Sequence, residues 1–299
     1  MKKCTHCNTT FEAADWACPA CNFEPLNSAE GFPLLAPAMA EGGGGFLPDA
    51  FAKLAALEAQ NFWFRSRNKL IMWAMKRHFP TMQRYLEIGC GTGYVLAGVA
   101  QAYPAATLVG SEIFSVGLPY AALRVGMAEL VQMDARHIPY VDEFDVIGAF
   151  DVLEHIEEDE QVLAAMLGAL RPGGGIALSV PQHPWLWSAA DTYACHVRRY
   201  KEAELCEKVQ RAGFKLEFET SFVSLLLPAM MVSRLRKQDP QRANDELAEL
   251  RLPKWLNSTF EAVMAVELKL IQRFVRFRLG GSRLLIATKP VTSHEYSLQ

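Results

Sequence analysis

Between Arg84 and Gly93 the chain reads R-Y-L-E-I-G-C-G-T-G, and few folds accommodate such a stretch. Tyr85, Leu86 and Ile88 have the apolar density of a short strand buried on both faces. Gly89, Gly91 and Gly93 follow at alternate positions, where glycine lets the backbone turn sharply and a ligand approach closely. From Tyr94 to Tyr103 apolar residues continue as a helix. Strand, glycine turn and helix in that order predict a doubly wound α/β sheet with a nucleotide-like ligand beside the strand's carboxyl end. The plainer alternative is a tight strand-to-helix turn without a ligand.

A chain of 299 residues, half of them apolar, has room for one large α/β domain and something small beside it. The net charge of -3 gives no general attraction for nucleic acid, although a local basic patch stays open. The start, M-K-K-C-T-H-C, lacks the apolar core of a signal peptide. No uninterrupted apolar run is long enough to span a bilayer. A cytoplasmic location is expected, where the seven cysteines read as metal ligands or buried thiols rather than disulfides.

Cys4-x2-Cys7 and Cys18-x2-Cys21 predict a zinc ribbon over residues 1–25. Phe11, Trp16 and Phe23 offer only a small apolar skirt, too little to fold without a metal. Four thiolates close the coordination sphere, so this zinc would be structural. Residues 26–49, rich in Pro, Ala and Gly and containing G-G-G-G, read as a flexible linker.

From Ala50 to Phe79 the apolar residues recur at helical spacing. Within it, F-W-F-R-S-R-N at 62–68 either packs a helix on the sheet edge or forms a lid, with Arg65 or Arg67 pairing a ligand carboxylate. Thr107–Ile113 reads as a second strand ending in Glu112, a carboxylate able to accept from both hydroxyls of a ribose. A third strand around Glu129–Met133 leads into Asp134-Ala135, where an acid could accept from an adenine's exocyclic amine. The fourth, F-D-V-I-G-A-F at 144–150, precedes D-V-L-E-H-I-E-E and a helix to Leu170. R-P-G-G-G at 171–175 then turns into a fifth strand, I-A-L-S-V.

G-C-G-T-G with its preceding acid, the strand-end acids, F-D-V-I…D-V-L-E-H-I and L-R-P-G-G-G together resemble the class I S-adenosylmethionine-dependent methyltransferases over residues 80–220, with a closing strand at 282–289. A dinucleotide dehydrogenase shares the GxG, but its fingerprint wants glycine where this chain has Tyr94. The resemblance implies a Rossmann-like seven-stranded α/β sheet whose last strand is antiparallel, within a domain over residues 50–290 followed by a tail at 291–299. It places Glu87, Gly89, Gly91 and Gly93 near the methionine part of the cofactor, Glu112 on the ribose and Asp134 near the adenine. Arg67, Cys90, Ile113, Ala135 and Asp151 complete the expected cofactor-binding set.

Methyl transfer to a hydroxyl needs an in-line acceptor and something to take a proton. His155 is a candidate general base, its ordinary pKa suiting neutral pH, or else a residue that orients the loop. D-x-x-E-H at 151–155 also resembles a Mg²⁺ site of some ubiquinone-biosynthesis and small-RNA methyltransferases, which usually carry Glu where Asp151 stands. After the fifth strand, P-Q-H-P-W-L-W-S-A-A-D and C-H-V-R-R-Y-K supply His183, His196, Arg198 and Arg199 as candidate substrate-binding residues. The two arginines either hold an anionic substrate such as a phosphate or form salt bridges with acidic helices. H-V-R-R-Y, a helix over Glu202–Ala212 and G-F resemble a recurrent segment of bacterial members of the family.

Lys215–Thr220 reads as the sixth strand, and the long insertion at 222–280 separates it from the last. Its helix from about Leu256 to Leu279 gathers Phe260, Val263, Met264, Ile271 and Phe274 on one face, with Lys269, Arg273, Arg276 and Arg278 adding charge. Such helices lie in a membrane interface, cover a greasy substrate, pack on each other or pair two copies into a homodimer. Three functions stay open. The first is an enzyme methylating a small-molecule or lipid-linked acceptor. The second is an RNA methyltransferase gripping its substrate through the ribbon, as a zinc-bearing ribosomal RNA guanine methyltransferase family does. The third is a non-catalytic cofactor-binding scaffold. Residues 1–25 hold two lysines, no arginine and three acids, a poor phosphate binder, which favours the first.

Overall fold

The computed structural model describes residues 1–42, 50–236 and 252–291. Most of the glycine run, the polar stretch before Pro253 and the tail from residue 292 fall outside them. Strands β1 (Lys2–Lys3) and β2 (Thr10–Phe11) are followed by helices α1 (Ala50–Leu57) and α2 (Phe62–His78). Strand and helix then alternate through β3 (Arg84–Ile88), α3 (Tyr94–Ala102), β4 (Thr107–Glu112), α4 (Leu118–Arg124), β5 (Glu129–Gln132), β6 (Phe144–Phe150) and α5 (Asp159–Ala169). Next come β7 (Leu170–Pro181), α6 (Ala189–Tyr193), α7 (Glu204–Arg211) and β8 (Lys215–Phe222). Finally α8 (Leu227–Arg236) and α9 (Lys254–Gln272) precede β9 (Ser282–Thr288).

Seven strands form one sheet in the order β5-β4-β3-β6-β7-β9-β8, with β9 antiparallel to both neighbours, as the resemblance implied. The chain winds outward from β3 and then crosses back to β6, so the crevice between those strands is the sheet's switch point. Successive residues of β3 serve opposite faces. Tyr85 joins the layer under α2, α3 and α9, while Leu86 and Ile88 join the layer under α5 and α7.

Three local expectations are corrected. The helical spacing over 50–79 splits in two, because Asn61 accepts the Trp63 N–H at 2.8 Å and starts α2 afresh. R-P-G-G-G belongs to the long strand β7 rather than to a separate turn. The last helix stops at Gln272 instead of Leu279. Phe274 adopts φ +75°, and the Phe274 and Val275 N–H groups donate to Ile271 O and Leu270 O, each at 3.1 Å, with the Arg276 guanidinium adding a bond to Ile271 O at 3.3 Å.

The front of the chain is built into the domain. Lys3 N–H donates to Pro139 O at 2.9 Å, and Trp16 packs edge-on to Tyr140 at 5.3 Å between ring centres. The expected linker is docked over residues 26–42. Gln132 N–H donates to Pro33 O, Leu35 N–H donates to Gln132 O, and the buried Gln132 amide bonds both backbone groups of Ala36 at 2.9 Å. This segment therefore pairs with the outer edge of β5 at Gln132, its last residue, whose backbone groups would otherwise need another partner.

Candidate active site

The carboxyl ends of β3 to β6, together with α1 and the start of α2, enclose a cavity of about 650 Å³. That lies in the usual range for small-molecule sites. The glycine loop forms one wall. Gly89 has φ +63°, and a side chain there would start 2.5 Å from Val152 Cγ2. Gly93, at φ +77°, sits behind the wall: it precedes α3 and lets that helix approach Ala121, whose Cα lies 2.8 Å from where a Cβ would stand. It is not among the residues lining the cavity.

Glu112 ties β4 to this loop. Its carboxylate accepts the N–H of Gly91 and of Ile113, each at 2.9 Å. Burial raises its pKa and these N–H groups oppose the rise. A carboxylate has about four acceptor sites, so capacity remains toward the cavity. Above the loop, Glu58 accepts from the Thr92 hydroxyl at 2.6 Å and from Arg124 at 2.5 Å, pinning α1 as a roof.

Arg67 reaches in from α2. Its guanidinium pairs with Asp151 and lies 4.5 Å from the Trp63 ring centre, a cation–π contact. Burial pulls its pKa down to about 10, so it stays charged at neutral pH. Its buried Nε has no hydrogen-bond partner among the described residues. Glu87 accepts from the Tyr85 hydroxyl at 3.0 Å. Burial lifts its pKa to about 8 against that bond and the nearby Arg67. A carboxyl whose folded pKa exceeds its unfolded value, about 4.3, adds stability that is complete below that value and is lost as pH rises through the folded pKa. Glu87→Gln cannot ionise. Its melting temperature should fall less than the wild type's between about pH 5 and pH 9, the span of that titration. Parallel declines in calorimetry would overturn this.

At the other end stand His155, His196 and Glu154. The two imidazoles meet edge-on at 4.7 Å. Burial, helped by His196, pushes His155 down to about 4. Burial thus disfavours the charged form of His155, which weighs toward the loop-orienting alternative over the general base. His196 Nδ1 lies 3.0 Å from Asp191 Oδ1, and its Nε2 faces Glu154 Oε1 at 3.9 Å. Burial pushes Asp191 up, but bonds from His196 and Arg199 outweigh it and hold the carboxyl well below the usual carboxylate range.

The expected cofactor residues Arg67, Glu87, Gly89, Cys90, Gly91, Glu112, Ile113, Asp134, Ala135 and Asp151 all line the cavity. Asp134 is already occupied, its oxygens meeting Arg136 Nε at 3.0 and 3.1 Å and His137 at 3.3 Å. Of the expected substrate residues, His196 lines the cavity and His183, Arg198 and Arg199 do not. Arg198 pairs with Asp159 at 2.7 Å and Arg199 with buried Asp191 at 2.7 Å, so the salt-bridge alternative prevails over substrate binding. His183 stacks on Trp185 at 5.2 Å. Phe51, Glu58 and Trp63 also line the site. Only the aromatic run at 62–64 signalled its part in the sequence.

Far from this cavity in sequence, Cys4, Cys7, Cys18 and Cys21 converge. Sγ atoms lie 3.7 Å apart for Cys4 and Cys21 and 3.6 Å for Cys7 and Cys18. Tetrahedral zinc with bonds near 2.3 Å needs sulfurs about 3.8 Å apart. The cage fits that ion.

Comparison with known proteins agrees with this geometry. The methyltransferase domain family matches residues 49–218. A probable S-adenosylmethionine-dependent methyltransferase of Mycolicibacterium smegmatis is 27% identical over 170 residues, covering 55% of this chain and 63% of its own. A fatty-acid O-methyltransferase of the same organism is 28% identical over 178 residues, covering 56% and 64%. The chain thus spans less than two thirds of these curated relatives. Among solved structures, a chain from the complex of the Haloferax volcanii Trm112 methyltransferase activator with a methyltransferase shares the fold at TM-score 0.54 and 17% identity, covering 83% of this chain and 99% of that one. With the sheet order, the glycine loop and more than half of the sequence in agreement, the chain belongs to the methyltransferase domain family.

Proposed function

We propose that the protein transfers a methyl group from S-adenosylmethionine to a small-molecule or lipid-linked acceptor. One observation carries this reading: the Glu112 carboxylate is fixed by the glycine loop at the switch point with acceptor capacity to spare. The cavity fits the cofactor. Gly91 faces open space in it: among the described residues, no atom beyond its chain neighbours comes nearer than Phe51 Cε1, at 4.0 Å, to where a side chain would start. Arg67 Nε is a buried donor awaiting an acceptor. In this reading Glu112 accepts from the ribose hydroxyls, Arg67 meets the methionine carboxylate, and Glu87 stands beside the ammonium. Ile113 and Ala135 flank the adenine, with Asp134 and Arg136 stiffening that turn. The bound sulfonium supplies an electrophilic methyl group.

The acceptor then lies toward His155 and His196, near Phe150, Ile156 and Val197. In this reading His196, its ring oriented by Asp191 at Nδ1, receives the acceptor's proton at Nε2. This apolar lining and the fatty-acid O-methyltransferase relative both support a greasy acceptor. The cysteine cage holds a structural zinc in this reading.

Titration calorimetry with S-adenosylhomocysteine should give a saturable complex. Labelled S-adenosylmethionine should mark the lipid or small-molecule fraction of a cell extract rather than its RNA or protein. Saturable NAD binding without homocysteine-adduct binding would refute the assignment.

A second reading of the acceptor end rests on Glu154. It is fully buried, and neither carboxyl oxygen has a hydrogen-bond partner among the described residues. Ligand atoms of Glu154, His155 and His196 lie within 4.8 Å of one another, and Asp191 fixes the His196 ring as an outer partner does at metal centres. A divalent cation held there would replace Asp151 of the sequence expectation with His196. If so, EDTA treatment lowers turnover by an order of magnitude or more, and Mg²⁺ or Mn²⁺ restores it. Unchanged turnover removes the metal.

A further inference from the structure

The segment at 273–279 reads R-F-V-R-F-R-L and contains no acid. Phe274 is 69% exposed, Leu279 57% and Val275 38%. The Arg278 side chain is 86% exposed and meets Glu202 only loosely, at 3.9 Å. Eight of the seventeen large apolar side chains exposed among the described residues lie between Leu225 and Leu279, so apolar exposure concentrates on this insertion. Phe274 holds φ +75°, unfavourable for a bulky residue, and its exposed ring gains no core packing in return. The Arg77 guanidinium lies 5.2 Å from that ring, adding a further positive charge beside the loop.

We propose that this loop docks the protein on an anionic phospholipid surface. Phe274, Val275 and Leu279 enter the headgroup boundary, while Arg273, Arg278 and Arg77 meet lipid phosphates. The charge is complementary only locally, because the chain as a whole carries -3. An RNA would satisfy the arginines and stack on Phe274 but would leave the two aliphatic side chains in water. The inference stands apart from the methyl-transfer reading, since it concerns a surface with no catalytic residue.

The full chain with its zinc should sediment with phosphatidylcholine vesicles containing phosphatidylglycerol and not with phosphatidylcholine alone. Binding should weaken as salt rises. Arg273→Gln/Arg278→Gln should reduce partition about thirtyfold, roughly fivefold for each charge near the surface. Phe274→Ser/Leu279→Ser should abolish whatever binding survives at high salt. Both variants replace exposed groups, and unchanged melting curves with unchanged S-adenosylhomocysteine affinity confirm their folding. Three results overturn the proposal. They are absence of wild-type binding to anionic vesicles, binding that survives both variants, and a concentration-dependent dimer that Phe274→Ser/Leu279→Ser dissolves.

Discussion

Glu112→Ala should raise the dissociation constant for S-adenosylhomocysteine by two to three orders of magnitude while leaving the sheet intact. Two losses combine. The ribose hydroxyls lose a charged acceptor, worth about 1.5–3 kcal/mol for each such bond. The Gly91 and Ile113 N–H groups lose the carboxylate that fixes the loop, so binding must also order that loop. Glu112→Gln keeps one carbonyl oxygen and should lose roughly tenfold, one charged bond becoming a neutral one. Calorimetric titration of the three proteins decides it. An unchanged constant for Glu112→Ala would remove the carboxylate from the binding site and the methyl-transfer reading with it.

Cys18→Ser should abolish zinc binding by the cysteine cage and disorder residues 1–25 while the α/β domain survives. The ribbon's own core is Phe11 with Cys4 and Cys18, flanked by Phe23, and this is far too little apolar surface to offset chain entropy. Structural zinc contributes about 10–16 kcal/mol in comparable small units, so its loss is decisive locally. The wider fold loses chiefly the packing of Trp16 on Tyr140, about 2–3 kcal/mol for a large side chain. For a domain this size that lowers the melting temperature by about 5–10 °C. Metal analysis should fall from one equivalent of zinc to none. Hydrogen exchange should turn fast over 1–25 and hold over β3, β4 and β6. Persistent protection of the ribbon without metal would sink the zinc reading.

The parts of this molecule that were legible in the sequence are those whose chemistry is local. The glycine loop and the acid ending β4 follow from short motifs, and the sheet with its antiparallel last strand was implied by the resemblance those motifs carry. The parts that were not legible depend on partners that no motif marks. Arg199 resembles an anion-binding residue until Asp191 is found beneath it, and Arg198 until Asp159, 39 positions earlier, is found against its side chain. Glu58 meets Thr92 and Arg124, 34 and 66 positions away, and carries no mark of that in the sequence. His155 has the right ring for a base, but burial and a second imidazole change its acidity, and neither is written in D-V-L-E-H. Helix α9 ends early because Phe274 takes φ +75° and the Phe274 and Val275 N–H groups turn back onto Ile271 O and Leu270 O, whereas side-chain periodicity runs on through Phe274.

Residues 33–36 are stitched to the end of β5 at Gln132, and Met39 just beyond them reaches the cavity wall. A shortened protein beginning at Ala50 would therefore not be the same molecule with an ornament trimmed off. It would leave Gln132 at the edge of the sheet without its partners and a gap in the cavity wall where Met39 stands.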